Sequence, residues 1–297
     1  MDLERCSVMT NLQYGRIRQI QASGNFHQAI WLLRHKASGK IAMRKDFTAD
    51  DVRSGFAARE INNLRLLSPC YNICTYREHE LSLSRGTGAL VMDVYDYGDL
   101  WGLLERHIAQ RRIVPEPFIW HVLRSLAAAL LHMQRGSPVA MHTNFDWIIH
   151  GDLYPRNIFL GPPASHHPSW PHVVIGDFGS SISRSGLCPE FELRQQQDFS
   201  PPEQLTTRSD IYQLGLIIVA LCRLTRNPKI YWAHFQEGQK PAGEGYTTGL
   251  NNVLRKCLVA NFVDRISTFG LVQMVNTSFL GGGSTHQLLM GQRMYQS

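Results

Sequence analysis

The sequence predicts an α+β fold in two lobes, a small one built on a five-stranded antiparallel sheet with one helix and a larger one that is mainly helical. Three observations predict it. Before residue 95, short apolar runs alternate with turn residues. One stretch behind Thr48 breaks that rhythm with a helical period. Beyond Gly98, apolar residues recur at threes and fours.

The elements follow in chain order. Residues 14–47 read as a three-stranded meander, with apolar runs at 17–20, 29–33 and 41–43 separated by Ala22-Ser23-Gly24-Asn25 and Ala37-Ser38-Gly39-Lys40 as turns. Residues 49–67 then read as a single helix, with Ile61, Leu64 and Leu67 on one face and Thr48 and Asp50 as capping candidates. Strands at 80–83 and 89–94 flank the turn Arg85-Gly86-Thr87-Gly88. Asp99 is placed to cap a helix over 100–108, and Ile119, Val122, Leu126, Leu130 and Met133 mark the buried face of a longer one. The division into lobes falls near residues 95–98. It gives a tail at 1–13, a domain at 14–277 with lobes 14–95 and 96–277, and a second tail at 278–297.

Composition narrows the function. With 43% hydrophobic and 18% charged residues the chain is globular. Its formal charge of +6 is spread over scattered Lys and Arg, so a specific nucleic-acid surface is not expected. The longest apolar run, 214–221, is far shorter than the ~20 residues that span a bilayer, so a membrane role is not expected either. Six cysteines (Cys6, Cys70, Cys74, Cys188, Cys222, Cys257) form no CxxC pair and follow no apolar leader, which reads as reduced thiols in an intracellular protein, cytoplasmic or nuclear. His166, His167 and His172 lie in a Pro-rich stretch without Cys or carboxylate ligands and read as a loop insertion.

The chemistry is concentrated in two short segments. In His150-Gly151-Asp152-Leu153-Tyr154-Pro155-Arg156-Asn157, a carboxylate and an amide five residues apart on a loop can serve a substrate hydroxyl and a metal. Downstream, Val173-Val174-Ile175-Gly176 reads as a strand feeding Asp177-Phe178-Gly179, with strand-like Ile158-Phe159-Leu160 between the two motifs. Upstream, Ile41-Ala42-Met43-Arg44-Lys45 ends in a lysine. Glu60, in the following helix, is its natural ion-pair partner. Arg44 lies one position early and would face the opposite side of the strand.

These segments resemble the catalytic loop, the DFG motif and the V-A-I-K strand of protein kinases, and the resemblance extends over roughly residues 14–274. It implies ATP and Mg²⁺ as cofactors and a protein as substrate. Asp152 would be the base, Asn157 and Asp177 the metal ligands, and Lys45, held by Glu60, the cation on the α- and β-phosphates. Ser200-Pro201-Pro202-Glu203 looks like the A-P-E end of the activation segment, Arg265 like its partner arginine, and Ser209 to Gly215 like the next helix with a buried Asp210. Leu64, His150 and Phe178 match the family's packed regulatory column. Ala29, Ala42 and Phe159 match its adenine sandwich, Met92 its gatekeeper, and Asp93-Val94-Tyr95 its hinge. The wording Met43-Arg44-Lys45-Asp46-Phe47, Glu60 to Leu64 and Pro201 to Gln204 is most similar to NIMA-related serine/threonine kinases.

The chain also departs from the family. Ala22-Ser23-Gly24-Asn25-Phe26-His27 keeps only the middle glycine of the phosphate cradle, which implies weaker ATP binding. Gly151 stands where many kinases carry an arginine that binds a loop phosphate, so activation through Ser180, Ser181, Ser183 or Ser185 is not expected. Tyr154 replaces the lysine that serine/threonine kinases place on the γ-phosphate. Arg156, as in the tyrosine-kinase loop, is the candidate to supply that charge. Residues 228–249 offer little helical pattern where a substrate-docking helix is usual. The leading expectation is therefore an ATP-dependent Ser/Thr protein kinase. The alternatives are a pseudokinase acting as a nucleotide-binding or scaffolding module, and a kinase fold acting on a small molecule.

Overall fold

The computed structural model describes residues 13–20, 29–136, 145–163, 169–186, 195–232, 239–278, 288 and 290. The chain divides into two compact units. One reaches to Val94 and takes in Asp177–Gly179, and the other spans Tyr95–Gly176 and resumes at Ser180.

The first unit is built on a five-stranded antiparallel sheet in the order β1-β2-β3-β5-β4, with β1 Tyr14–Ile20, β2 Ile30–His35, β3 Ile41–Phe47, β4 Tyr76–Ser82 and β5 Thr87–Asp93. β4 starts four residues earlier than its apolar pattern suggests, because Tyr76 already pairs with Met92. β3 lies at the centre of the sheet, paired with β2 and β5. Its alternation puts Lys45 and Arg44 on opposite faces. Arg44 bonds Asp46 at 2.6 Å and Glu80 at 2.9 Å, and Trp31 Nε1 donates to Asp46 on the same side.

The helix expected over 49–67 is two helices, α1 Ala49–Arg53 and α2 Phe56–Leu67. Thr48 caps the first through a capping box with Asp51, while Asp50 lies in the first turn and is not the cap. The break has a local cause. The Ser54 hydroxyl donates to the Asp50 carbonyl at 2.7 Å, and Gly55 turns the chain at φ +82, a conformation that L side chains rarely adopt. α2 then buries Ala57, Glu60, Ile61, Asn63, Leu64 and Leu67, so a carboxylate sits within its apolar stripe.

The second unit is mainly helical: α3 Leu100–Gln110, α4 Glu116–Arg135, α5 Ser209–Arg223, α6 Lys229–Trp232, α7 Thr248–Cys257 and α8 Thr268–Ser278. Asp99 caps α3, its Oδ1 accepting from the Gly102 N–H at 2.7 Å. Ile119, Val122, Leu126, Leu130 and Met133 of α4 are all fully buried, and every residue of α5 from Ser209 to Cys222 is buried. Two small antiparallel pairs complete the unit: β6 Ile148–Ile149 with β9 Ile182–Ser183, and β7 Ile158–Gly161 with β8 His172–Ile175. In the stretch without helical pattern only the single turn α6 precedes α7 among the described residues.

Among the described residues no group of His, Cys, Asp and Glu is arranged to hold a metal, and no helix is long and apolar enough to cross a membrane. Cys70, Cys74, Cys222 and Cys257 are free thiols. Cys6, Cys188, His166 and His167 lie outside the described residues. His172 opens β8, its ring 6.1 Å from that of Tyr95.

Candidate active site

In the first unit, Lys45 joins three elements of sequence. Its Nζ donates to Glu60 Oε1 at 2.8 Å, to Glu60 Oε2 at 3.0 Å and to Asp177 Oδ1 at 2.9 Å. Burial works against the ammonium charge, but the carboxylates of Asp177 and Glu60 outweigh it and hold Lys45 above the usual lysine range. Burial likewise pushes the Glu60 carboxyl up to about 7, against the attraction of Lys45. Asp177 sits in the left-handed region at φ +58, and its side chain is 48% exposed, against 12% for Lys45. A Cβ on Gly179 would come within 3.3 Å of both Asp177 Oδ1 and Glu60 Oε2, so glycine keeps the space beside the two carboxylates open.

The strand register sorts the expected adenine residues by face. Residues directly opposite on paired strands share a face, and Lys45 pairs with Ile30 and Leu90. By alternation Met43 and Met92, themselves a pair, lie on the face of Lys45. Ala42 pairs with Leu33 and Asp93 on the other face, buried with Leu33 and Val91 beneath Tyr14 and Trp31. Ala29, whose carbonyl accepts from the Asp46 N–H at 2.8 Å, continues β2 one residue out of phase with Lys45. Ile30 and Met43 therefore lie on the face of Lys45, and Ala29 and Ala42 do not. The cradle residues Ala22, Ser23, Gly24, Asn25, Phe26 and His27 lie outside the described residues.

In the second unit, the loop 150–157 hangs on buried polar side chains of α5. Asp210 accepts the His150 and Gly151 N–H groups, each at 2.9 Å, while Gln213 accepts the Leu153 N–H at 3.1 Å and donates to the Gly151 carbonyl at 3.1 Å. Burial pushes the Asp210 carboxyl up to about 6, opposed by its two backbone donors. His150 is fully buried. The Asp152 N–H points at its Nδ1 at 3.3 Å, so Nε2 carries the proton and donates to the Gly176 carbonyl at 3.0 Å. Gly151 has φ +79, and an added Cβ would meet Leu205 Cδ1 at 2.7 Å.

Asp152 and Asn157 are brought together. Asn157 Nδ2 donates to the Asp152 carbonyl at 2.8 Å and lies 3.5 Å from its Oδ2. That commitment of the nitrogen leaves the amide oxygen as a hard ligand, the donor type that suits Mg²⁺. The Gly176 N–H, next to Asp177 in the chain, donates to the Asn157 carbonyl at 2.9 Å. Two residues that the sequence did not single out also engage the loop: the Gln196 N–H donates to Asp152 Oδ1 at 2.8 Å, and Gln195 Nε2 to the Gly151 carbonyl at 2.7 Å. Nothing in a run of three glutamines signals such contacts, which follow from the path of the chain. Arg156 lies with its guanidinium 5.0 Å from the centroid of the Trp101 ring, and the Tyr154 ring is 6.2 Å from that of Phe199. Tyr95 stacks on Phe159 with centroids 6.4 Å apart. Glu203 and Arg265 form a bidentate pair at 2.7 and 2.9 Å.

The protein kinase domain family matches residues 22–280. The chain is 27% identical over 248 residues to the serine/threonine-protein kinase Nek2 of Mus musculus, an alignment covering 76% of this chain and 52% of that protein. It is 26% identical over 208 residues to Nek2 of Homo sapiens, covering 65% and 42%. It is 27% identical over 274 residues to the G2-specific protein kinase nimA of Emericella nidulans, covering 81% and 38%. The chain thus spans about half or less of the length of these curated relatives.

Proposed function

The chain belongs to the protein kinase domain family, and from that membership we propose that it is an ATP-dependent protein kinase acting on Ser/Thr hydroxyls, an activity that its relatives' names carry. One observation carries the reading: Lys45 is bonded at once to Glu60 and to Asp177, so that a cation with a fixed position is held beside a half-exposed carboxylate. A lysine so held orients the phosphates of a nucleotide, and Asp152 accepts the proton of the incoming hydroxyl. Asn157 and Asp177 are the residues assigned to Mg²⁺, an amide oxygen and a carboxylate being the donors that a hard cation prefers. When bound, Mg²⁺ neutralises charge on the phosphates. Ile30, Met43 and Met92, on the face of Lys45, are assigned to the adenine. Arg156 is assigned a share of the charge that Tyr154 cannot supply, its guanidinium lying 5.0 Å from the centroid of the Trp101 ring. The domain is assigned to 14–277. A location inside the cell fits the free thiols.

The test is phosphoamino-acid analysis after incubation with radiolabelled ATP, Mg²⁺ and a mixed protein substrate. Label on Ser and Thr is expected, and label confined to Tyr would overturn the assignment of acceptor. A second reading, a pseudokinase scaffold, is favoured by the cradle sequence Ala22 to His27 with its single glycine. It predicts no label on any residue.

A further inference from the structure

Asp152 is held by a segment as well as by its own loop. The Gln196 N–H donates to its Oδ1, and Gln195 Nε2 donates to the carbonyl of Gly151, which also accepts from Gln213. The same segment is tied at its other end. Lys229 Nζ donates to the Gln197 carbonyl and to Ser200 Oγ, both at 2.6 Å, and Ser200 Oγ donates to the Gln197 carbonyl at 3.0 Å. Residues 195–200 therefore form a strap across the catalytic loop, fastened by an amide at one end and an ammonium at the other.

The strap leaves little for a phosphate to do. Between Ser180 and Glu203 the only hydroxyl-bearing residues are Ser180, Ser181, Ser183, Ser185 and Ser200. Ser180, Ser181 and Ser183 are buried. Ser185 is exposed, yet its N–H and its hydroxyl both donate to the Asp146 carboxylate, and a phosphate there would face that negative charge. Ser200 is engaged with Lys229. At Gly151 the left-handed backbone conformation and the contact with Leu205 disfavour the arginine that would receive a loop phosphate.

We infer that Gln195 and Lys229 are positioning residues, which through the strap 195–200 hold Asp152 in place without phosphorylation of the segment. This rests on the reading of Asp152 as the base. Two substitutions separate the ends of the strap. Gln195→Glu keeps the size but puts a carboxylate oxygen where the donor faces the Gly151 carbonyl, and Lys229→Met removes the cation at nearly constant volume.

The experiment compares the full chain, before and after treatment with a Ser/Thr phosphatase, with Gln195→Glu, Lys229→Met and Lys229→Arg. It measures kcat and the KM for ATP on a Ser/Thr peptide, together with amide hydrogen exchange at Gln196. The expected result is an unchanged rate after phosphatase and a kcat lower by about tenfold or more in Gln195→Glu and Lys229→Met. The KM for ATP stays the same, and Lys229→Arg recovers the rate. A rate lost on phosphatase treatment overturns the inference, and so do both variants turning over as the wild type. Should the wild type transfer no phosphate, exchange decides. A slow Gln196 amide that becomes fast in Gln195→Glu supports the strap and overturns only the kinase reading, whereas a fast amide in the wild type overturns the strap.

Discussion

Among the described residues Arg265 is the largest fully buried side chain of the second unit, and its charge is matched by one carboxylate and three main-chain carbonyls. Burial works against ionised Glu203, but its bonds to Arg265 and Ser209 outweigh this and hold it below the ordinary 4.5. A folded-state value depressed in this way gives stability that is full above about pH 4.5 and lost as pH falls through the folded value. Glu203→Ala leaves the guanidinium buried without its counter-charge and is expected to cost about 3 kcal/mol at pH 7, less at pH 3, in urea unfolding followed by fluorescence. An equal cost at both pH values would contradict this. The pair was legible in the sequence because both residues sit in motif positions. The faces of β3 were legible only in part. Strand alternation set Arg44 opposite Lys45, and the same count, carried three positions back, puts Ala42 opposite as well. The motif match hides that consequence, and Ala29 lies out of phase with Lys45 in the same way.

At the scale of elements, the helix after β3 was legible in its apolar stripe and not in its interruption. Ile61, Leu64 and Leu67 report a helical period but carry no information on Ser54 and Gly55, where a hydroxyl turned back on the Asp50 carbonyl and a left-handed glycine end α1. The break lets α2 start afresh and present Glu60 within its buried face. No atom lies within 4 Å of a Cβ built on Gly55, so the cost of Gly55→Ala is conformational alone, about 1 kcal/mol. Thermal unfolding of that variant checks it, and an unchanged midpoint would mean that the turn tolerates a side chain. The strap at 195–200 was not legible at all. Its hold on the loop depends on one main-chain N–H and one glutamine amide, 44 residues from their acceptors, and hydrogen bonds of that kind leave no periodic trace in sequence.

At the scale of the molecule, the α+β class, the sheet of the first unit and the helices of the second follow from apolar periodicity, and the family follows from motif order. What periodicity does not reach is the pairing register, which decides which residues accompany Lys45. A ligand that binds only the folded chain raises its stability, by about 2.7 kcal/mol at a hundred times its Kd. ATP is accordingly expected to raise the unfolding midpoint in the presence of Mg²⁺ and much less in its absence. A shift of the same size without the metal would argue against Asn157 and Asp177 as its ligands. The central claim is that Asp152 serves as the base of phosphoryl transfer, and the most direct measurement is transfer from radiolabelled ATP to a Ser/Thr peptide by the wild type and by Asp152→Asn. The account predicts label with the wild type and a rate at least about a hundredfold lower in the variant, the order of loss that general-base removal brings. Equal label from both proteins would contradict it.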